Sequence, residues 1–93
     1  LSEEQIKQIA EKMLATLTKR MASLNMTINF TDSAVTAISK AGFDPVYGAR
    51  PLRRAIQSKI EDTLSEHILE GKFASGDTIL CDYTEDKFTF NKA

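Results

Sequence analysis

Cysteine, histidine, proline and glycine are all scarce in this chain. Its 93 residues hold one cysteine, one histidine, two prolines and four glycines. The single thiol, Cys81, can close no internal disulfide, so nothing argues for a secreted, bridge-held fold. No apolar run approaches the length of a membrane span and no signal-peptide pattern opens the chain, so no membrane association and a cytoplasmic setting are expected. His67 has no partner His or Cys at ligand spacing, which is poor ground for a metal site, and it is expected to be structural or exposed. The formal net charge of −1 provides no global basic field to gather nucleic acid, so any anion site must be local. Neither a G-x-x-x-x-G-K-[ST] phosphate loop nor a G-x-G-x-x-G turn occurs. No serine or cysteine nucleophile comes with a motif and a base, and the carboxylates show no spacing for paired acid–base work. These absences describe an accessory part of an enzyme or a binding module, not a complete catalyst.

What remains is enough for one small domain with a modest core. The chain starts at Leu1, not Met, and enters a helix almost at once, so a fragment of a longer protein is expected. Ser2 and Gln5 fit a capping box, and Ile6, Ile9, Ala10, Met13, Leu14, Leu17 and Met21 recur at helical spacing, which predicts a helix over about 3–22. Lys7, Glu11, Lys12, Lys19 and Arg20 read as its solvated face. Residues 24–30 alternate apolar and polar, which predicts a strand with Leu24, Met26, Ile28 and Phe30 facing the core. Thr31 or Asp32 can cap a second helix with Val35, Ile38 and the alanines at 34, 37 and 41 inward. Gly42 is expected at the C′ position that ends it, with Phe43 making the hydrophobic contact that follows.

A long helix to Glu70 is predicted next, with Leu52, Ile56, Ile60, Leu64 and Ile68 at four-residue spacing and Ala55 and Leu69 widening the stripe. Gly71 ends it. After a Ser75-Gly76-Asp77 turn, two strands around Thr84-Glu85-Asp86 read as a C-terminal hairpin, with Ile79, Cys81 and Tyr83 on one face. The expected class is α/β (α+β) in the order α-β-α-α-β-β, with three helices packed on a small three-stranded sheet. Residues 1–93 are expected to form a single subdomain.

The organising stretch is Gly42-Phe43-Asp44-Pro45-Val46-Tyr47-Gly48-Ala49-Arg50-Pro51-Leu52-Arg53-Arg54-Ala55-Ile56-Gln57, which holds both prolines and three arginines within five positions. Pro51 suits a first helical turn and holds Arg50 at the boundary. Tyr47 is expected to be a partly buried packing residue. The charges of the helix that follows oppose its dipole. Arg50, Arg53 and Arg54 crowd the N-terminal end, while Glu61, Asp62, Glu66 and Glu70 lie toward the C-terminal end. An anion held by the arginines would explain the basic half. The plainer reading is three solvated arginines, or arginines paired to carboxylates elsewhere.

This stretch closely resembles the sensor-2 segment of the Clp family of AAA+ ATPases, which are hexameric protein-unfolding machines. The resemblance extends through Ile60-Glu61-Asp62-Thr63-Leu64-Ser65 and the Gly76-Asp77 turn, and so covers essentially the whole chain. It implies the C-terminal small, or lid, subdomain of the second nucleotide-binding module. The large subdomain with Walker A and Walker B would then lie outside these residues. By the resemblance, Arg50 is the sensor-2 arginine that reaches the ATP phosphates, and it counts as catalytic only together with the large subdomain. Gly48 and Ala49 would allow close approach to nucleotide, and Arg53 and Arg54 would lie at the nucleotide periphery or a subunit contact. The implied ligands are ATP or ADP, with Mg2+ held through the large subdomain. The implied partners are that subdomain, neighbouring subunits of a hexamer, unfolded or aggregated protein clients and, in the protease-associated branch, a Clp peptidase.

Protease-associated unfoldases and stand-alone disaggregases share the segment, and the features that separate them lie outside it. The fragment alone is expected to be inactive and the parent protein to be an ATP hydrolase. The rival reading is a non-catalytic interaction domain that docks an acidic partner through the arginine helix. A nucleic-acid module using the same arginines comes third, because the net charge and the lack of interleaved exposed aromatics count against it.

Overall fold

A computed structural model describes all residues, Leu1–Ala93. Helix α1 spans Glu3–Ser23 and opens on the expected capping box. Ser2 Oγ accepts from Gln5 N–H, and Gln5 Oε1 accepts from Ser2 N–H. Its buried stripe is Ile6, Ala10, Leu14, Leu17 and Met21. Two charges of the expected solvated face do more than meet water. Lys7 pairs with Asp32 at 2.5 Å, and Arg20 pairs with Glu61.

Strand β1 spans Thr27–Phe30, shorter than the alternation suggested. Leu24 is not a core strand residue: it is the C-cap of α1 and is 53% exposed. Asn25 takes a left-handed φ of 59°, which turns the chain sharply before Met26 and Ile28 enter the core. The turn is held from across the fold, since Asn25 Nδ2 donates to Ser75 Oγ at 2.9 Å and Gly76 N–H donates to Asn25 O at 2.7 Å.

Helix α2 spans Asp32–Ala41, capped by Thr31. Its inner face is Ala34, Val35, Ile38 and Ser39. Ala37 is only half-buried and Ala41 is exposed, which corrects the expected face. Gly42 ends α2 at φ −95°, so it is not the left-handed C′ residue expected. A side chain there is barred by space instead, because a Cβ would lie 2.6 Å from Leu52 Cα. Phe43 is 42% exposed and lines a cavity with Ile6, Ser39 and Lys40.

The third helix, α3, is continuous but not uniform. It consists of α-helical Leu52–Ile56, a π turn Gln57–Glu61 and α-helical Asp62–Leu69. Asp62 N–H donates to Gln57 O, five residues back. Leu52, Ile56, Ile60 and Leu64 are all buried, while Leu69, expected on the stripe, is 87% exposed. The helix ends on Gly71 at φ 81°. His67 is half-buried and packs edge-on against Phe73 and Phe90, with ring centroids at 5.9 and 5.8 Å. Its Nδ1 lies 3.6 Å from Glu70. Phe73 is buried and was not expected in the core.

Strands β2, Thr78–Thr84, and β3, Lys87–Lys92, form the hairpin. Glu85 and Asp86 both take positive φ, as a two-residue primed turn requires. The sheet order is β1-β2-β3. β1 is parallel to β2, from Thr27↔Thr78 to Phe30↔Cys81, and β2 is antiparallel to β3. A parallel pair needs a long crossover, and α2 and α3 supply it. The fold is therefore the mixed three-helix, three-strand arrangement expected. No helix is long and apolar enough to cross a membrane.

Candidate functional site

The site begins where α2 cannot continue. Asp44-Pro45 excludes helix, and the chain closes a small loop instead. Asp44 N–H donates to Gly48 O at 2.8 Å, and Gly48 N–H donates to Asp44 O at 2.7 Å. The Asp44 carboxylate fills the loop from within, accepting from Val46 N–H at 2.7 Å and Tyr47 N–H at 3.0 Å. Gly48 takes φ +64°, a conformation that disfavours any side chain, and a Cβ there would meet only Leu1 at 3.6 Å. The loop thus turns outward and leaves Val46 81% and Tyr47 59% exposed. Tyr47 is therefore not the packing residue expected.

The chain leaves the loop through a second tight turn. Arg50 N–H donates to Tyr47 O at 3.2 Å, and Leu52 N–H donates to Ala49 O at 3.0 Å. Pro51, at φ −73°, precedes the first helical residue, Leu52. Arg50 stands just before the helix, as its place ahead of a proline requires, and its side chain is exposed. The guanidinium carbon lies 5.6 Å from the centroid of the Tyr47 ring, within cation–π range.

Arg53 and Arg54 are exposed on the first turn of α3, and Ala49 is half-buried behind the loop. Gly48, Ala49, Arg50, Arg53 and Arg54 are thus brought together at one end of the helix. None of the three arginines forms an ion pair with a carboxylate of this chain. The acidic end of α3 is different. Glu61 pairs with Arg20, and Glu70 lies 3.4 Å from Lys72. Fold contacts therefore offset part of the unfavourable charge order at the C-terminal end, but not at the N-terminal one. Tyr47 was missed as a site residue in the sequence. The cue was available in its spacing, because a tight turn places residues three apart side by side.

The fold and the site together define a small α/β domain that carries an exposed basic turn at the head of α3. Comparison with known proteins gives the family. The C-terminal, D2-small domain of ClpB protein matches residues 1–81. "Chaperone protein ClpB 1" of Thermosynechococcus vestitus is 41% identical over 87 residues, 94% of this chain. "Chaperone protein ClpB" of Streptomyces albus G is 41% identical over all 93. The "ATP-dependent Clp protease ATP-binding subunit ClpC" of Staphylococcus aureus is 43% identical over all 93. The chain belongs to the ClpB D2-small domain family. It spans 10% of the length of the first of these relatives and 11% of the other two.

Proposed function

We propose that residues 1–93 are a single lid subdomain of an ATP-dependent Clp unfoldase or chaperone, and that Arg50 is its nucleotide-facing side chain. The observation that carries this reading is the exposed Arg50 guanidinium, with no carboxylate partner in this chain, set by a hydrogen-bonded turn at the head of α3. Family membership over residues 1–81 supports it, as does the similarity to relatives named as a chaperone or as an ATP-dependent ATP-binding subunit.

In this reading ATP is bound mainly by a large subdomain with the phosphate loop that this chain lacks. Arg50 reaches the phosphates from the lid. A guanidinium fork offers paired N–H donors to phosphate oxygens and stabilises charge that builds during phosphoryl transfer. Gly48 and Ala49 keep the approach narrow and free of bulk. Arg53 and Arg54 serve the periphery of the nucleotide or a contact with the next subunit of a hexamer. In this reading Mg2+ is held through the large subdomain. Clients are unfolded or aggregated proteins, and a peptidase partner applies where the parent is of the protease-associated kind.

The test is steady-state ATP hydrolysis by the full-length protein with its other nucleotide module silenced, comparing wild type with Arg50→Ala. Hexamers are counted by sedimentation. The expected result is a turnover loss of about tenfold, or roughly 1.4 kcal/mol in the barrier, with hexamers intact. Unchanged turnover per hexamer rejects the nucleotide role. Lost hexamers with unchanged turnover per assembled subunit instead favour the reading in which the arginine helix docks an acidic surface. The isolated 93-residue chain is expected to show no ATP turnover.

A further inference from the structure

Three arginines crowd the start of α3, yet only one is held by an aromatic ring. Arg50 lies over Tyr47 at 5.6 Å, while Arg53 and Arg54 extend from the helix with no such neighbour. Tyr47 itself has little reason to be there as a core residue, since it is 59% exposed. Its backbone is nevertheless hydrogen-bonded at both polar groups. Its N–H is taken by the Asp44 carboxylate at 3.0 Å, its carbonyl accepts from Arg50 at 3.2 Å, and the Asp44–Gly48 pair closes the loop around it. A hydrogen-bonded loop thus presents an exposed aromatic face to one long cation.

We infer that Tyr47 is a positioning residue for Arg50: its ring holds the guanidinium in the direction from which it meets a nucleotide phosphate. This rests on the reading of Arg50 as the nucleotide-facing side chain. The physical reason is pre-organisation. An arginine side chain has several rotatable bonds and loses rotamer freedom when it is fixed on a ligand. A ring face that already restricts the guanidinium leaves less freedom to lose when phosphate arrives. It does so without consuming the N–H donors, because a cation over a ring uses the π face and not the hydrogen-bonding edge. A carboxylate partner would hold the arginine as well but would compete with phosphate for those same donors. The hydroxyl of Tyr47 has no part in this. The ring does.

The test has two arms. In the 93-residue chain, NMR of the Arg50 δ-methylene protons reads ring-current shifts directly. Upfield shifts are expected in wild type and Tyr47→Phe, and their loss is expected in Tyr47→Leu, with core methyl signals unmoved because the ring is exposed. In the full-length protein with the other nucleotide module silenced, Tyr47→Leu is expected to lower kcat about fivefold. Tyr47→Phe is expected to restore most of that loss. The double variant Tyr47→Leu/Arg50→Ala is expected to be no slower than Arg50→Ala alone.

A Tyr47→Phe loss equal to that of Tyr47→Leu overturns the inference, because the hydroxyl would then matter. Losses that multiply in the double variant overturn it too, because Tyr47 would be acting independently of Arg50. If Arg50→Ala slows turnover and Tyr47→Leu does not, Tyr47 has no positioning role and the site reading stands. If Arg50→Ala has no effect, the site reading falls and takes this inference with it.

Discussion

Gly42 and Leu52 stand so close that a Cβ on the glycine would lie 2.4 Å from Leu52 Cδ1 and 2.6 Å from Leu52 Cα. The contact brings the end of α2 against the start of α3, and so sets the span that the Asp44–Gly48 loop must bridge. The obstacle includes backbone, so a change of rotamer cannot relieve it. Gly42 has φ −95°, which alanine adopts freely. With conformation alone at stake, Gly42→Ala would stabilise by about 0.4–1 kcal/mol through the unfolded chain. The close approach reverses the sign. Gly42→Ala is expected to destabilise by about 1–3 kcal/mol, as overpacking does. Urea midpoints of the two proteins decide between the signs.

Thr31 joins two parts of the fold through one hydroxyl. Its Oγ1 accepts from Ala34 N–H at 3.1 Å, capping α2, and donates to the Asp82 carboxylate of β2 at 2.7 Å. Thr31→Ala is expected to destabilise by about 1 kcal/mol, the usual worth of an N-cap. The same contact predicts a pH dependence. The Thr31 hydroxyl first, then the Tyr83 N–H, hold the Asp82 carboxyl below the usual carboxylate range. The ionised form is thus favoured in the folded state, so this contribution is present in full above the unfolded pKa, and falling pH removes it through the folded one. Asp82→Asn is expected to flatten the acid side of a stability–pH curve below about pH 4 and leave its neutral side parallel to wild type. An acid limb of unchanged slope would show that other carboxylates carry it.

Cys81 sits at an inward position of the central strand and is fully buried. Burial first, then the neighbouring Asp82 charge, pushes its thiol up to about 12. The thiolate is the reactive form, so the folded chain offers almost none at neutral pH. Labelling with an aromatic disulfide reagent is expected to be limited by opening of the fold and to accelerate with urea as unfolding does. Rapid stoichiometric labelling in buffer alone would contradict the buried placement.

Much of this fold is legible because local signals agree with tertiary demand. The Ser2–Gln5 box, the stripe of α1, the Thr31 cap and the alternation of β2 and β3 each need only neighbours in sequence. The misreadings occur where a side chain's direction depends on a backbone reversal. Leu24 has the parity of Met26 and Ile28, but the left-handed Asn25 between them breaks the alternation, and asparagine before a strand was the cue. Tyr47 looks like a packing aromatic until the Asp44–Gly48 pairing closes the loop and leaves it outside. The arginine cluster was visible as composition and as a family motif. That all three arginines lack carboxylate partners was not, since pairing is a property of the folded surface.

The π turn of α3 was legible in principle, and it carries the sharpest prediction. An α-helix advances about 100° per residue, so a stripe at four-residue spacing overshoots by about 40° at each step. From Leu52 through Ile56, Ile60 and Leu64 to Ile68 the drift would reach about 160°, enough to carry one end of the stripe out of the core. Yet Leu52, Ile56, Ile60 and Leu64 are 0%, 4%, 0% and 2% exposed. The π turn Gln57–Glu61 absorbs one residue in a wider loop and resets the phase. It follows that one residue there is geometrically surplus. Deleting the exposed Ser58 would bring the buried positions to spacings of four, three and four, which a plain α-helix keeps on one face. That variant is expected to unfold cooperatively, with Tm within about 8 °C of wild type, a shift that roughly 1 kcal/mol produces in a domain of this size. Deleting Glu11, also exposed, from the regular α1 has no such outlet. It would rotate Leu14, Leu17 and Met21 by about 100° against Ile6 and Ala10, and cooperative unfolding is expected to be lost. If the two deletions prove equally harmful, the π turn is not a phase correction, and its tie from Glu61 to Arg20 becomes the reason it exists.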